Sequence, residues 1–152
     1  MELIIFIGLQ GAGKSTFFRT HFTETHVYVS KDLLRNNKRP THRQSQLIEN
    51  ALQAGQSVVV DNTNPTPGDR EALIQLGRRY GASIIGYFFE SSVRDCLERN
   101  KQRSGKERVP DVAIYATAKR LVRPSYTENF DKLFFVRIEG DGTFKIVDDT
   151  EK

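Results

Sequence analysis

Short apolar runs alternate with amphipathic stretches along this chain, and the alternation predicts its secondary structure. Strands are predicted at residues 3–7, 27–29, 57–60, 84–89 and 133–138, and residues 143–147 form a candidate short terminal strand. Continuous apolar strands separated by helical segments are typical of a parallel sheet that is covered on both faces. The pattern therefore predicts an α/β fold in which helices flank both faces of a parallel sheet of about five strands.

Capping residues and the spacing of apolar side chains locate the helices between these strands. Helices are predicted from residue 14 to 22, from 30 towards 37, from 40 to near 55, from about 67 to 80, from 93 to 103 and from 110 to before 124. Pro40 suits a first helical turn, and Gly55 suits the end of the same helix. Because no linker, repeat or low-complexity segment interrupts the pattern, we expect a single domain over residues 1–152.

The composition favours a soluble protein of a reducing compartment. The apolar run at residues 3–7 is far shorter than the ~20 residues of a membrane span, and no basic segment precedes it as in a secretory signal. The single cysteine, Cys96, excludes an internal disulfide and is expected in the core. His21, His26 and His42 lack metal-ligand spacing. We expect a cytoplasmic protein that has no membrane partner and is a monomer.

The formal net charge of +4 is unevenly distributed along the chain. Residues 139–152 form a short acidic tail of net charge −3, which leaves +7 on the first 138 residues. A basic body favours polyanionic partners such as nucleotides or nucleic acids, although solubility alone accounts for such a charge in many proteins.

One segment matches a phosphate-binding loop, or P-loop, at every fixed position. It is Gly8-Leu9-Gln10-Gly11-Ala12-Gly13-Lys14-Ser15, which fits G-x-x-x-x-G-K-[ST] between a predicted strand and a predicted helix. Glycines let backbone N–H groups approach phosphate oxygens, the lysine reaches the β- and γ-phosphates, and the serine hydroxyl can ligate Mg²⁺. The segment therefore predicts that the chain binds a nucleoside triphosphate together with Mg²⁺.

Two aspartates at the ends of predicted strands are candidates for the reaction itself. Asp61 follows the run 57–60 and could orient Ser15 or a water on Mg²⁺, although the pattern also fits a turn aspartate. Asp32 follows the strand 27–29, at the edge where parallel sheets bind ligands, and could take a proton from an acceptor hydroxyl. Arg35, one helical turn later, could hold an acceptor phosphate. The alternative is that Asp32 offsets the helix dipole and Arg35 is solvated.

A dense basic stretch predicts a helical lid over the phosphates at about residues 99–110. Residues 94–123 contain nine basic and four acidic side chains, and Gly105 interrupts their helical pattern. Arg99 and Arg103 are four residues apart, so both project from one helical face towards the phosphates. The alternative is that Arg99 forms a surface pair with Asp95.

These motifs occur in one order, and together they resemble the kinase domain of the polynucleotide 5′-hydroxyl kinases of nucleic-acid end repair. The resemblance covers about residues 3–138 and is carried by residues 8–16, Ser30-Lys31-Asp32, Val60-Asp61-Asn62-Thr63-Asn64-Pro65, Arg99-Asn100-Lys101-Gln102-Arg103, residues 109–112, Pro124 and Glu128-Asn129-Phe130. Many relatives have Asn-Arg-Asp where this chain has Ser30-Lys31-Asp32. The resemblance implies a P-loop kinase fold in which ATP donates its γ-phosphate to the 5′-OH end of DNA or RNA.

The resemblance also implies a role for each matched residue. ATP would lie on Gly8, Gly11, Ala12, Gly13, Lys14, Ser15 and Thr16, with Arg99 and Arg103 of the lid on its phosphates. Asp32 would be the general base, Arg35 would contact a phosphate of the acceptor, Ser15 and Asp61 would hold the metal, and Asp61 and Asn64 would lie near the acceptor.

Two other functions fit the same residues. A metabolite kinase on this scaffold would need the same lid, but Arg35, Lys38 and Arg39 favour an acceptor that bears a phosphate. A nucleotide-binding switch would not need to keep Asp32 together with two lid arginines. A polynucleotide kinase is therefore the leading hypothesis, with DNA and RNA not distinguished.

Overall fold

The structure, a computed structural model, describes residues 1–149. The strands are β1 Glu2–Ile7, β2 Val27–Val29, β3 Val58–Asp61, β4 Ser83–Phe89, β5 Lys132–Ile138 and β6 Phe144–Asp149. The α-helices are α1 Lys14–His21, α2 Pro40–Gln53, α3 Pro67–Arg79, α4 Val93–Lys101 and α5 Asp111–Arg120, and 3-10 turns cover Lys31–Leu34, Gly105–Glu107 and Tyr126–Glu128. None of the helices within residues 1–149 combines the length and the apolar surface needed to cross a bilayer.

All six strands join one sheet in the order β2-β3-β1-β4-β5-β6. The first five pair in parallel, which confirms the predicted α/β fold, and β6 pairs with β5 in the antiparallel sense. The connection from Ile138 to Phe144 is too short for a crossover and therefore forms a hairpin. The acidic tail predicted from residue 139 is thus part of the sheet as far as Asp149, and its residues 150–152 lie outside the described residues.

Alternation along the central strand divides the core into two layers. Successive side chains of a strand point to opposite faces of the sheet. Leu3 and Ile5 therefore pack with α2 and α3, whereas Ile4 and Phe6 pack with α1, α4 and α5. Cys96 is fully buried in the second layer, as expected for a core residue. Both faces of the sheet are covered, as the apolar strands predict.

One predicted helix is much shorter in the structure. The segment expected to be helical from residue 30 towards 37 forms only the 3-10 turn Lys31–Leu34, capped by the Ser30 side chain, which accepts the Asp32 N–H at 3.2 Å. The Asn37 side chain accepts the Arg39 N–H at 3.0 Å, a local bond that competes with helical hydrogen bonding. Asp32 consequently lies on a tight turn directly after β2.

Candidate functional site

The P-loop connects β1 to α1 in a backbone conformation that depends on two glycines. Gly11 and Gly13 have φ values of 84° and 93°, in the left-handed region that side chains disfavour. A Cβ atom on Gly11 would also lie 2.7 Å from the carbonyl oxygen of Cys96 on α4. Gly13 is the N-cap of α1, so the first free N–H groups of that helix border the loop. The loop therefore has the geometry of an anion site.

Lys14 lies across this loop with its ammonium group buried. Its Nζ donates to the carbonyl oxygens of Gly8 at 2.8 Å and Leu9 at 2.7 Å. Burial lowers the pKa of Lys14 from 10.5 to about 8, although the Asp61 carboxylate opposes this effect. Both hydrogen-bond acceptors of the Lys14 ammonium group are neutral carbonyls. A bound phosphate would therefore add a negative charge that these two carbonyls do not provide.

A cluster of three oxygen-bearing side chains lies beside Lys14. Asp61 ends β3 and is only 5% exposed. Its Oδ2 accepts a hydrogen bond from Ser15 Oγ at 3.0 Å and another from the Tyr28 hydroxyl at 2.6 Å. Burial, followed by the Asp61 charge, raises the pKa of Tyr28 to about 12, so this phenol stays protonated. The sequence motifs predict Ser15 and Asp61 here, whereas no motif marks Tyr28.

The pair of Ser15 and Asp61 fits Mg²⁺ that is shared with a nucleotide. Within residues 1–149, no group of three or more His, Cys, Asp or Glu side chains could hold a metal by itself. Mg²⁺ in such sites keeps waters and takes one or two protein oxygens together with substrate phosphates. One hydroxyl and one buried carboxylate beside the phosphate loop meet that requirement.

Most of the predicted site residues line one cleft of about 450 Å³, here called the main cleft. It contains Gly11, Lys14, Ser15, Asp32, Asp61, Asn64 and Arg103. Asp32 lies in the turn after β2 with 81% of its side chain exposed, and Arg103 enters the cleft from the lid. Asp32 raises and Arg103 lowers the pKa of Lys14, so both charges act on the loop lysine. The cleft thus combines a carboxylate that can accept a proton with cations suited to phosphate.

Arg35 bridges the turn that carries Asp32 and the lid. Its guanidinium donates to the Lys106 carbonyl oxygen at 2.7 Å and lies 3.6 Å from the Asp32 carboxylate. The predicted neighbourhood of Arg35 and Asp32 is therefore present, with the lid as an additional partner that the sequence analysis did not foresee.

The two lid arginines point to different places. Arg99 donates to the Gly11 carbonyl oxygen at 2.9 Å and to Ser91 Oγ at 2.8 Å, which supports the P-loop from the side. It lines a second, shallower cleft of about 500 Å³ that also contains Arg137. Arg103 lines the main cleft and donates to the Glu107 carbonyl oxygen at 3.4 Å. Helix α4 ends at Lys101, so the two side chains do not share the single helical face that their spacing predicts.

Asn64 and the predicted residues that do not line the main cleft shape its walls. The Gly8 N–H donates to the Thr63 carbonyl oxygen at 3.0 Å, and the Asn64 side chain donates to the Phe6 carbonyl oxygen at 2.8 Å. Asn64 is buried with a φ of 44°, a conformation that asparagine tolerates better than most residues. Ala12 is buried against α1, and Thr16 is exposed on α1. These contacts join the P-loop to the segment after β3.

A buried arginine that the sequence analysis missed holds this segment in place. Arg70 on α3 is fully buried and donates to the carbonyl oxygens of Asn64, Pro65 and Val122 and to both carboxylate oxygens of Glu128. Burial lowers the pKa of Arg70, and Glu128 opposes that effect. The only sign of this role in the sequence is that helical spacing places position 70 on the buried face of α3.

A second missed residue holds the two ends of the lid together. The Asn100 side chain is fully buried, donates to the Val109 carbonyl oxygen at 2.7 Å and accepts the Val109 N–H at 3.0 Å. Residues 102–108, which include the 3-10 turn Gly105–Glu107, therefore form a connection whose two ends are held together by one amide. This geometry keeps Arg103 at the edge of the main cleft.

Comparison with known proteins agrees with this description. A family model described as an AAA domain matches residues 3–124. A protein of Acanthamoeba polyphaga mimivirus named as a bifunctional polynucleotide phosphatase/kinase is 30% identical over 139 residues, which are 87% of this chain and 32% of that protein. The bifunctional polynucleotide phosphatase/kinase of Schizosaccharomyces pombe is 26% identical over 136 residues, which are 85% of this chain and 32% of that protein.

The fold also matches a solved structure over nearly its whole length. The crystal structure of Chaetomium thermophilum Kti12 in complex with ADP-AlF3 gives a TM-score of 0.71 at 16% identity, covering 92% of each chain. This match and the family model confirm the P-loop kinase fold, and the two curated relatives confirm the resemblance to polynucleotide kinases. The chain spans about a third of the length of the two curated relatives.

Proposed function

This chain belongs to the AAA-domain family of P-loop nucleotide-binding proteins, and we propose that it is an ATP-dependent polynucleotide kinase that phosphorylates the 5′-OH end of DNA or RNA. The observation that carries the proposal is that Asp32, Lys14 and Arg103 line the same cleft, with the charges of Asp32 and Arg103 both acting on Lys14. A pure nucleotide sensor has no need of a carboxylate on the acceptor side. The names of the two curated relatives support a polynucleotide as acceptor.

Asp32 is the proposed general base of the transfer. Its carboxylate accepts the proton of the 5′-hydroxyl while the hydroxyl oxygen attacks the γ-phosphorus. The new O–P bond forms as the bond between the γ-phosphorus and the β–γ bridging oxygen breaks, and ADP leaves with that electron pair. The exposure of Asp32 is compatible with an acceptor that enters from solvent.

The residues around the loop neutralise the phosphates during this transfer. The N–H groups at the start of α1 and the Lys14 ammonium bind the β- and γ-phosphates, and Arg103 adds positive charge from the lid. Mg²⁺ held by Ser15 and Asp61 would supply further charge neutralisation on the phosphate oxygens. Arg99 acts through the Gly11 carbonyl, which keeps the loop in shape.

Exposed cations next to Asp32 favour an acceptor that carries its own phosphates. Lys31 lines the main cleft, and Arg35, Lys38 and Arg39 follow on the exposed segment between β2 and α2. Such cations are typical of contacts to a nucleic-acid backbone and offer no advantage for an uncharged small alcohol. This local charge supports a polynucleotide over a neutral metabolite.

The test is transfer of label from γ-labelled ATP, with Mg²⁺, to matched 5′-OH DNA and RNA oligonucleotides. We expect label on the 5′ end, and none on oligonucleotides that already bear a 5′-phosphate. The Asp32→Asn variant should bind ATP as the wild type does but transfer about 10²- to 10⁴-fold more slowly, the usual contribution of a general base.

Glu107→Gln is the matched control, because it removes a carboxylate from the lid side of the same cleft. It should retain transfer to within a few-fold. Loss of ATP binding in Asp32→Asn would contradict the role of Asp32. Absence of label on every oligonucleotide, with ATP still bound, would instead favour a small hydroxylated acceptor or a nucleotide switch.

A further inference from the structure

Tyr28 stands out because its hydroxyl reaches into the site from a strand that carries no motif. It lies in the middle of β2, and its hydroxyl donates to Asp61 Oδ2 on β3 at 2.6 Å. Its ring packs on Phe18 of α1, with 4.5 Å between ring centres. The side chain is half-buried, and the ring contact fixes where the hydroxyl points.

The hydroxyl of Tyr28 shares its acceptor with the serine of the P-loop. Asp61 Oδ2 accepts from Ser15 Oγ at 3.0 Å as well, and the Tyr28 and Ser15 oxygens are 3.5 Å apart. Two O–H donors thus converge on one carboxylate oxygen, and rotation of the carboxylate would break both bonds. Oδ1 of Asp61 is engaged by neither hydroxyl.

Packing does not account for this hydroxyl. Strand β2 is already paired with β3 along Val27–Val29, so the sheet does not need the extra bond. The Tyr28 ring packs against the second core layer through Phe18, a contact for which an apolar ring suffices. A phenylalanine at position 28 would fill the same space without orienting Asp61.

We propose that Tyr28 is a positioning residue for the metal-nucleotide site, holding Asp61 Oδ2 so that Ser15 and Asp61 present their oxygens together to Mg²⁺. The inference rests on the nucleotide and Mg²⁺ part of the proposed function and not on the identity of the acceptor. Groups that orient metal ligands in this way typically change metal affinity by about 10- to 100-fold when they are removed. Tyr28 also ties the strand that leads to Asp32 to the carboxylate of the metal pair, so it connects the acceptor side of the cleft to the nucleotide side.

The test is the Tyr28→Phe variant, which removes one oxygen and keeps the ring. Mn²⁺ binding to the complex with a non-hydrolysable ATP analogue is measured by electron paramagnetic resonance, a readout that does not depend on turnover. We expect affinity for Mn²⁺ to fall about 10- to 100-fold. Binding of the analogue in the presence of EDTA should stay within twofold of the wild type.

Tyr87→Phe is the matched control. Tyr87 lies on β4 against the same core layer, and burial raises the pKa of its phenol to about 12 as well, but its ring contacts Phe6 and Phe22 rather than Asp61. It should bind Mn²⁺ like the wild type. The inference would be overturned if Tyr28→Phe bound Mn²⁺ as tightly as the wild type does. It would also be overturned if Tyr87→Phe lost as much affinity for Mn²⁺ as Tyr28→Phe. If wild-type protein fails to label oligonucleotides while the Mn²⁺ difference persists, the acceptor assignment fails and the role of Tyr28 stands.

Discussion

The affinity of the chain for ATP should fall as the pH rises through the pKa of Lys14. Burial lowers this pKa from 10.5 to about 8, and the hydrogen bonds of Nζ go to the neutral carbonyls of Gly8 and Leu9. A bound polyphosphate favours the charged ammonium, so ATP selects the protonated form of Lys14. At alkaline pH, Lys14 is mostly neutral in the free protein, and ATP binds this form more weakly.

The size of the effect follows from the pKa. With a pKa of about 8, Lys14 is roughly 90% protonated at pH 7 and roughly 10% protonated at pH 9. The apparent Kd for ATP should therefore rise about tenfold over this interval, or about 1.3 kcal/mol. The phosphates of ATP do not titrate there, since the second pKa of a phosphate monoester is about 6.

The assay is isothermal titration calorimetry with a non-hydrolysable ATP analogue and Mg²⁺ at pH 7, 8 and 9. Lys14→Met should bind more weakly and show no pH dependence in this range. Lys31→Met is the control, because it removes an exposed cation from the same cleft and should keep the wild-type slope. A wild-type Kd that changes less than twofold, or a Lys14→Met variant with the wild-type slope, would refute the reasoning.

The lowered pKa of Lys14 also predicts how the stability of the fold depends on pH. Stability should rise with pH, whereas the affinity for ATP should fall. The folded pKa of Lys14 is lowered to about 8, whereas the unfolded chain keeps the proton up to about 10.5. Unfolding therefore takes up a proton between these values, and the stability contributed at this position rises with pH across that window. Urea unfolding at pH 8 and pH 10 should show wild type gaining stability relative to Lys14→Met. A constant difference between the two proteins would contradict the lowered pKa.

Two further predictions concern residues that shape the site. Arg70→Met leaves the Glu128 carboxylate without its cation and should lower the free energy of unfolding in urea by about 3–5 kcal/mol. The double variant with Glu128→Leu should recover part of that loss. Strictly additive losses would argue against the ion pair. Gly11→Ala adds a Cβ at a φ of 84° and 2.7 Å from the Cys96 carbonyl oxygen, so it should lower stability by about 1–3 kcal/mol and weaken ATP binding. Gly55→Ala, at a φ of 76° with open space around it, should cost less and leave ATP binding unchanged, and an equal effect of both on binding would contradict the close approach at Gly11.

The fold was predictable because nearly every strand is an uninterrupted apolar run. The five parallel strands were located from such runs to within a residue or two, since burial on both faces leaves few polar positions inside them; Arg137 of β5 is an exposed exception. Strand β6 was only a candidate, because it lies at the edge of the sheet and its middle residues, such as Lys145 and Asp148, are exposed. The helix predicted after β2 was wrong in its length, because the side-chain hydrogen bond of Asn37 is not visible in the spacing of apolar residues.

The candidate site was predictable where a residue has to face a ligand, and less so where it supports another residue. The P-loop pattern located Lys14 and Ser15, and strand ends located Asp32 and Asp61. Tyr28 was missed because a hydroxyl group can reach the Asp61 carboxylate from many positions in the chain. Such a contact therefore requires no fixed spacing in the sequence. The same holds for Arg70 and Asn100, whose partners are mainly backbone carbonyls that any residue type provides.

The strand order explains why segments far apart in sequence form one cleft. The P-loop follows β1, Asp61 ends β3 beside it, and Asp32 follows β2 beside β3, so three neighbouring strands each deliver one part at the same edge. On the other side of β1, β4 leads into α4 and the lid that carries Arg103. The P-loop is therefore central, Asp61 lies between it and the turn that carries Asp32, and the lid lies on the opposite side. Since the Tyr28 hydroxyl spans from β2 to Asp61, it connects the strand that leads to Asp32 with the strand that ends in Asp61, and removing it tests whether their alignment is built by the sheet alone.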